Sequence, residues 1–502
     1  MLYEELLMDG PTLLKFKLFK HLKKIETINY PIAKVSESID LNYQQTVIDL
    51  TEIEQDLKEL REDQKDFMIG AGKLDCTKIL TTADEYRYFL LNESVPFQFI
   101  LYFLNEQNPT IDKFCEKYYV SRSTVSRKIA NLKKHLKKFR LRFTYTEASL
   151  AGDERLVRIA LFNTLWLGTR GLYWPLDVSE KQAELLSNEF GNYFPQRNTY
   201  VGRLEMKLFA GITLARMKKG KFVKYDHAYD FLLQKNKYYN YFYSLEVSDI
   251  LFTELDISKR QAKAENSFVY FLARYSPAYT QENDQALHQT IQDFSTRLNP
   301  VYSLTKEFLG DVKHGLQTEH YETLDSPLIL GNLLNVTFAF YVFRQAFPNI
   351  QNLVLNPNSS DTTDQNLEER ITKFFEKIKD NPKYDFINDE TRPLLVRMYT
   401  NILSPYFNGL EYSKHLKVGM VFEHNYLLVR KLYQFIGDLH FAEVEPFKKS
   451  SADSYDLVIS SSLLLKENYP ELPVYLWDHT YEDSEMIRLY QKLRQVFVQK
   501  NS

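Results

Sequence analysis

The spacing of apolar residues divides the 502-residue chain into three stretches with different periods. Up to about Arg155 the apolar positions recur every three to four residues in short runs broken by turns, the pattern of small helical domains. From Asp153 to about Pro405 the runs lengthen into amphipathic helices with short loops and abundant Phe and Tyr, as in helical bundles. Leu204, Leu208, Ile212 and Ala215 mark one such face, which stops at Arg216-Met217-Lys218-Lys219-Gly220. Leu330 to Phe347 is a second, strongly apolar helix. Beyond about Gly409 the period changes again. Val418–Phe422, Phe441–Val444, Leu457–Ser460 and Val474–Trp477 read as short apolar strands. Helices from Leu427 to Ile436 and from Ser484 to Gln499 complete a small α/β domain with a largely parallel sheet.

Within the first stretch, Ile111, Phe114, Cys115 and Tyr118 fall at i, i+3, i+4 and i+7, one buried helical face. Val120-Ser121 breaks the period, and Ser121 is a good N-cap for a second helix with Val125, Ile129, Leu132 and Leu136 inward. The polar face of that helix carries Arg127, Asn131, Lys134 and Lys138, while Ser121, Arg122, Ser123, Thr124 and Ser126 crowd its first turn. Leu141 to Thr146 then alternates as a strand with Arg142 outward, and Leu150-Ala151-Gly152 turns into the next helix. The order helix, turn, basic helix and strand pair is that of a DNA-binding winged helix-turn-helix. No acidic residue lies between Lys117 and Thr146, so nothing local opposes attraction to phosphate. Arg122, Ser123, Ser126 and Arg127 are placed to meet base edges, and Lys133, Lys134, Lys137 and Lys138 to hold phosphate.

A diverged first copy spans Leu13 to Leu60, with Asn29-Tyr30-Pro31 standing where Asn108-Pro109 stands later. Its second helix, from near Tyr43, turns Val47, Leu50 and Leu57 inward and shows Asp49, Glu52, Glu54, Asp56 and Glu59 elsewhere. Such a helix is repelled by phosphate along most of its length, leaving at most Asn42 to Gln45 for DNA. Phe67–Ile69 and Leu74–Cys76, around Gly70 and Gly72, are its wing.

Charge sharpens this picture. The net charge is −3 and the pI about 6.4, so the basic segment is a local island. Two cysteines, Cys76 and Cys115, point to a reducing interior. The N-terminus has no basic leader and the longest apolar run is short, which predicts a soluble cytoplasmic protein with no membrane association. No Gly-rich phosphate loop, metal cluster or nucleophile arrangement suggests an enzyme, and no cofactor is expected.

On Ser121-Arg122-Ser123-Thr124-Val125-Ser126-Arg127, the following Leu132 and Leu136, and the exit Gly152-Asp153-Glu154-Arg155, the chain resembles the Mga-like virulence regulators of Gram-positive bacteria. The resemblance covers essentially the whole length. It implies a mainly α multidomain protein: a first winged helix-turn-helix domain (1–80), the principal one (81–153), and two phosphotransferase-system regulation domains (154–283 and 284–408). An enzyme IIB-like α/β domain (409–502) closes the chain. The implied function is a virulence- and metabolism-type transcriptional regulator, read as an activator, that binds promoter DNA and dimerises through its terminal domain. It also implies phosphorylation by a phosphocarrier protein on exposed histidines, for which His227, His314 and His320 are the candidates. Catalytic enzyme IIB relatives carry a cysteine after the first strand, whereas here Glu423-His424-Asn425 follows Phe422. Thiol phosphotransfer is therefore absent, and an interaction role is expected. Two other classes compete: an RNA-binding antiterminator, which needs a small β-rich module at the N-terminus, and a non-catalytic interaction protein of the phosphotransferase system.

Overall fold

The computed structural model describes residues 2–25, 27–193, 199–233, 248–313, 324–354, 365–407, 415–422, 426–439, 441–462, 464–477 and 483–501. They fall into two compact units, one drawn from Met1–Gly315, Asp325–Thr363 and Glu369–Tyr399, the other from Leu316–Leu324, Asp364–Glu368 and Thr400–Ser502. The protein is mainly helical, with a small parallel sheet near its C-terminus. No described helix is long and apolar enough to cross a membrane.

The first unit opens with α1 (Tyr3–Leu7) and α2 (Gly10–Leu22), the latter capped by Asp9, whose carboxylate accepts from Thr12 N. Strand β1 (Tyr30–Pro31), α3 (Ile32–Ser38), α4 (Tyr43–Leu60) and strand β2 (Lys73–Leu74) follow, with β1 and β2 antiparallel. The hairpin leading into β2 needs Gly70 and Gly72 because both sit at left-handed φ, +79° and +67°. Its partner α4 differs from expectation in one respect. Asp49 is buried and accepts from Gln45 Nε2 at 2.8 Å, Asp56 takes Tyr86 Oη at 2.6 Å, and Glu54 caps the hairpin through Phe67 N and Met68 N at 2.8 and 3.0 Å. Glu54 and Asp56 thus tie α4 to the hairpin and to Tyr86, 13 to 30 positions away and beyond the reach of helical periodicity, while Asp49 is held within α4 itself.

Helices α5 (Ala83–Glu93) and α6 (Val95–Asn105) form the floor under the second helix-turn-helix: α7 (Ile111–Lys117), α8 (Arg122–Lys128), α9 (Ala130–Lys137) and the hairpin β3 (Arg142–Thr144) with β4 (Ser149–Ala151). Phe99 of α6 meets Phe114 at 5.0 Å and Phe143 at 5.5 Å between ring centroids, so one ring anchors both α7 and the wing.

Three long helices come next, α10 (Glu154–Thr169), α11 (Glu180–Tyr193) and α12 (Tyr200–Lys218), then a 3-10 turn His227–Tyr229, α13 (Asp230–Leu233), a π turn Asp249–Glu254 and α14 (Lys259–Leu272). Further helices are Gln285–Ser295, Pro300–Lys313, Pro327–Phe343, Gln351–Val354, Gln365–Ile378 and Thr391–Phe407. Pro327–Phe343 is apolar on every side and buried through most of its length, as a central helix must be. It stops at Phe343, short of the expected Phe347, because Arg344 turns left-handed at φ +54°. Phe338 on this helix touches the rings of Phe231, Phe271 and Phe294 at 5.7, 5.2 and 5.4 Å.

Beneath the wing lies a buried ionic cluster. Arg158 is fully buried and binds Glu265 through two parallel bonds of 2.5 and 2.9 Å, with its Nε on Glu154 at 3.1 Å. Arg216, equally sunken, grips Glu154 at 2.8 and 2.6 Å and reaches Leu150 O of β4 at 3.3 Å. Val223 N and Lys221 O fill the remaining valences at 3.0 Å each.

In the second unit, β5 (Leu416–Val421), β6 (Ala442–Pro446), β7 (Leu457–Ser460) and β8 (Val474–Leu476) form an all-parallel sheet in the order β6-β5-β7-β8. Helices Tyr426–Gly437 and Asp483–Asn501 contribute Leu432, Ile436, Leu489 and Leu493 to its core. The expected strands are all present. Cys76 is buried and its thiol is pushed up to about 11 by burial, in keeping with a packing role.

Glu265→Leu removes the bidentate partner of Arg158 and leaves it only Glu154, which Arg216 also uses, so it is expected to destabilise the first unit by about 3–5 kcal/mol. Denaturant unfolding followed by tryptophan fluorescence reads this directly, and a loss under about 1 kcal/mol would mean that water reaches Arg158.

Candidate DNA-binding surface

The helix-turn-helix is fixed by its caps. Thr110 accepts from Lys113 N at 3.3 Å to start α7, and Ser121 accepts from Thr124 N at 3.1 Å to start α8. Between them Tyr119 adopts φ +53° and Val120 N closes the turn on Cys115 O at 3.0 Å. The sequence predicts one continuous recognition helix, but the chain bends at Ile129, whose ψ of 1° lies far from the helical value. Val125, Ile129, Leu132 and Leu136 nevertheless all face inward, because the i, i+4 bonds from Ile129 N to Val125 O and from Lys133 N to Ile129 O survive the bend.

Ser121, Arg122, Ser123, Ser126, Arg127, Asn131, Lys133, Lys134, Lys137, Lys138 and Arg142 are exposed, and only Thr124 is partly covered, through its place in the cap. Ala130 also lies exposed between Arg127 and Lys134, where a small side chain leaves room for close approach to a groove.

The flanks of this face are not free solvent. On one side Arg122 lies across Asp112 of α7, Nε to Oδ1 at 2.7 Å, and Lys133 Nζ stands 6.0 Å from the Tyr145 ring in the wing turn. On the other side Lys128 is paired with Asp9, and Asn131 donates to Glu5 O of α1 at 3.4 Å. Arg140, just past α9, binds Glu390 Oε2 at 2.7 Å. Lys128 and Arg140 are basic residues that periodicity did not single out: their partners are 119 and 250 positions away, beyond any local signal.

The wing pairs Arg142 with Ala151 and Thr144 with Ser149. It leaves through Gly152 at φ +147°, where an added Cβ would strike Leu141 Cδ2 at 2.5 Å and Arg140 O at 3.2 Å. Glycine is required there. His135 of α9 lines a small cavity with residues of α1 and α10 together with Pro348, Asn349 and Leu353. Burial, and then the charge of Lys138, push its imidazole down to about 4.

Of the histidines singled out for phosphorylation, His227 stands at the start of its 3-10 turn with 87% of its side chain exposed and Nδ1 2.9 Å from Asp230 Oδ2. His314 and His320 lie outside the described residues, as does His424.

Residues 82–165, from α5 into α10, match the family model of the Mga helix-turn-helix domain. The match upholds the resemblance to Mga-like transcriptional regulators over the segment that holds the basic face and wing. No curated protein matches the chain.

A histidine whose folded pKa is depressed stabilises the fold fully only above its unfolded value, near 6.5. Stability is therefore expected to fall as pH drops from about 6.5 to 4, by up to about 3 kcal/mol from this group. His135→Leu should flatten that part of a stability-against-pH curve, and an unchanged slope would assign the loss to other groups.

Proposed function

We propose that this protein is a transcriptional regulator that reads duplex DNA with α8, α9 and the β3–β4 wing. The observation that carries the reading is the exposed, acid-free run from Lys117 to Thr146, displayed on a winged helix-turn-helix. Arg127, Ser123 and Ser126 are assigned to base edges and neighbouring phosphates, and Lys133, Lys134, Lys137, Lys138 and Arg142 to phosphate. Arg122 joins them by exchanging Asp112 for phosphate. The match of residues 82–165 to the Mga helix-turn-helix domain supports a regulatory role. An RNA-binding antiterminator is disfavoured, because the described residues of the first hundred positions form helices and one short hairpin.

The finer reading is of a dimeric activator with a regulated body. Two phosphotransferase-system regulation domains (154–283 and 284–408) and an enzyme IIB-like domain (409–502) are proposed on the resemblance. His227 is the best-supported phosphoryl acceptor because its ring is exposed. For dimerisation, the helix Asp483–Asn501 presents Ile487, Tyr490 and Val498 outward along one line, 56%, 37% and 39% exposed, opposite the buried Leu489 and Leu493. An apolar stripe on a helix that already has a core face is what an isologous contact needs.

If about five phosphates are engaged, log K for duplex DNA should fall against log salt with a slope of about −4 to −5. Lys134→Ala should cut that slope by about 1 on any sequence, whereas Arg127→Ala should cost about 1–3 kcal/mol on the preferred site alone. A salt-independent affinity overturns the reading. Separately, Tyr490→Glu should shift sedimentation toward monomer, and an unaltered dimer constant would place the contact elsewhere.

A further inference from the structure

Arg155, four residues past the end of the wing's second strand, belongs neither to the basic face nor to the buried ionic cluster. Its guanidinium meets two separate pieces of chain. Toward the wing exit, Nη2 binds Asp153 Oδ2 at 2.7 Å and Nε lies 3.1 Å from both carboxylate oxygens of the same residue. Away from the wing, Nη1 binds Asp226 Oδ2 at 2.7 Å and Tyr229 Oη at 3.0 Å. The fork also stacks 5.3 Å from the ring of Phe343, the last residue of the central helix. Only 12% of the side chain is exposed. Burial opposes the charge, but Asp153 and Tyr229 hold the group firmly protonated.

The turn on the far side has two faces. Asp226 uses Oδ1 to cap its own 3-10 turn through Ala228 N at 2.9 Å and Oδ2 to hold Arg155. Tyr229 is buried, with its ring against Phe271 at 5.5 Å, while His227 between them points outward. A displacement of the exposed face therefore moves Asp226 and Tyr229 together, and both end on the same guanidinium. Asp153 is the N-cap of α10, accepting from Arg155 N at 3.0 Å, and Gly152 before it is the residue whose strained φ sets the wing's exit.

We propose that Arg155 is a positioning residue for the wing, which transmits the state of the Asp226–Asp230 turn to strands β3 and β4. The bond set explains why a guanidinium is needed. Two acids on different segments must be served at once by one rigid fork, a task a point charge on a flexible stem performs poorly. The proposal rests on the DNA-binding reading for its consequence but not for its first measurement.

Hydrogen exchange of the full chain without DNA tests the link. Asp226→Asn, which keeps shape and the Oδ1 cap but loses the charge on Arg155, should speed exchange of the wing amides in residues 142–151 by about tenfold. It should also weaken binding to duplex DNA by about five- to tenfold. In an Arg155→Gln background the same substitution should add nothing to either effect, and Arg155→Lys should restore only part of the protection. Unchanged wing exchange in Asp226→Asn overturns the proposal, as do additive effects of the two substitutions, which would mark them as separate structural losses. Faster wing exchange with unchanged DNA affinity supports the link and counts against the wing's share in DNA binding instead, whereas absent duplex binding by the unsubstituted chain counts against the DNA-binding reading alone.

Discussion

The buried pairing of Arg158 and Arg216 with Glu265 and Glu154 is the constraint on which the first unit depends. Arg158 is fully buried and Arg216 nearly so, so each must find its acceptors mainly inside the protein. The bidentate grip on Glu265 fixes the plane of Arg158, and through it the rotation of α10 against α14. Glu154 serves both arginines, which fixes α12 as well. Such a cluster need not contribute net stability compared with apolar residues of the same volume, but it tolerates one arrangement only. Three helices and a wing strand are thereby given a common register.

That register explains how a short, kinked motif can be held firmly. The recognition segment offers only Val125, Ile129, Leu132 and Leu136 to the interior, and its bend at Ile129 interrupts regular helix. Rigidity comes instead from what lies around it: the Phe99 ring beneath α7 and the wing, and the Arg216 contact to Leu150 O. The polar face is free of structural duties at its centre and tied at its edges. Ser123, Arg127 and Lys134 have the outward positions, while Asn131 and Lys128 lean on α1 and α2.

Much of this was legible in the residues, for identifiable reasons. The second helix-turn-helix shows itself because caps, period and turn residues all agree from Thr110 to Gly152, and a local signal needs only local information. The terminal sheet is readable because strands of a parallel sheet, covered on both faces, appear as apolar runs. The bend at Ile129 left no trace, since the i, i+3, i+4 pattern is the same on either side of it. The roles of the α4 acids are less legible: Asp49, Glu54 and Asp56 lie off the apolar stripe, and only the fold sets Gln45, the hairpin amides and Tyr86 beside them. Arg158 and Glu265 were invisible as a pair because 107 residues separate them.

The same correction changes how the charges around the basic face should be weighed. Arg122 with Asp112 and Arg140 with Glu390 are ion pairs with well-exposed arginines, weak in water and screened by salt. A phosphate backbone, with its dense line of charge and releasable counterions, outcompetes such pairs at moderate salt. They act as placeholders that keep the side chains extended rather than as locks. Asp9 with Lys128 is different in kind, because Asp9 also caps α2 and Asn131 meets Glu5 O beside it. Together these contacts join α1 and the start of α2 to α8 and α9. Helix α1 and the start of α2 are thus positioned to steady the basic face whether or not they touch DNA themselves.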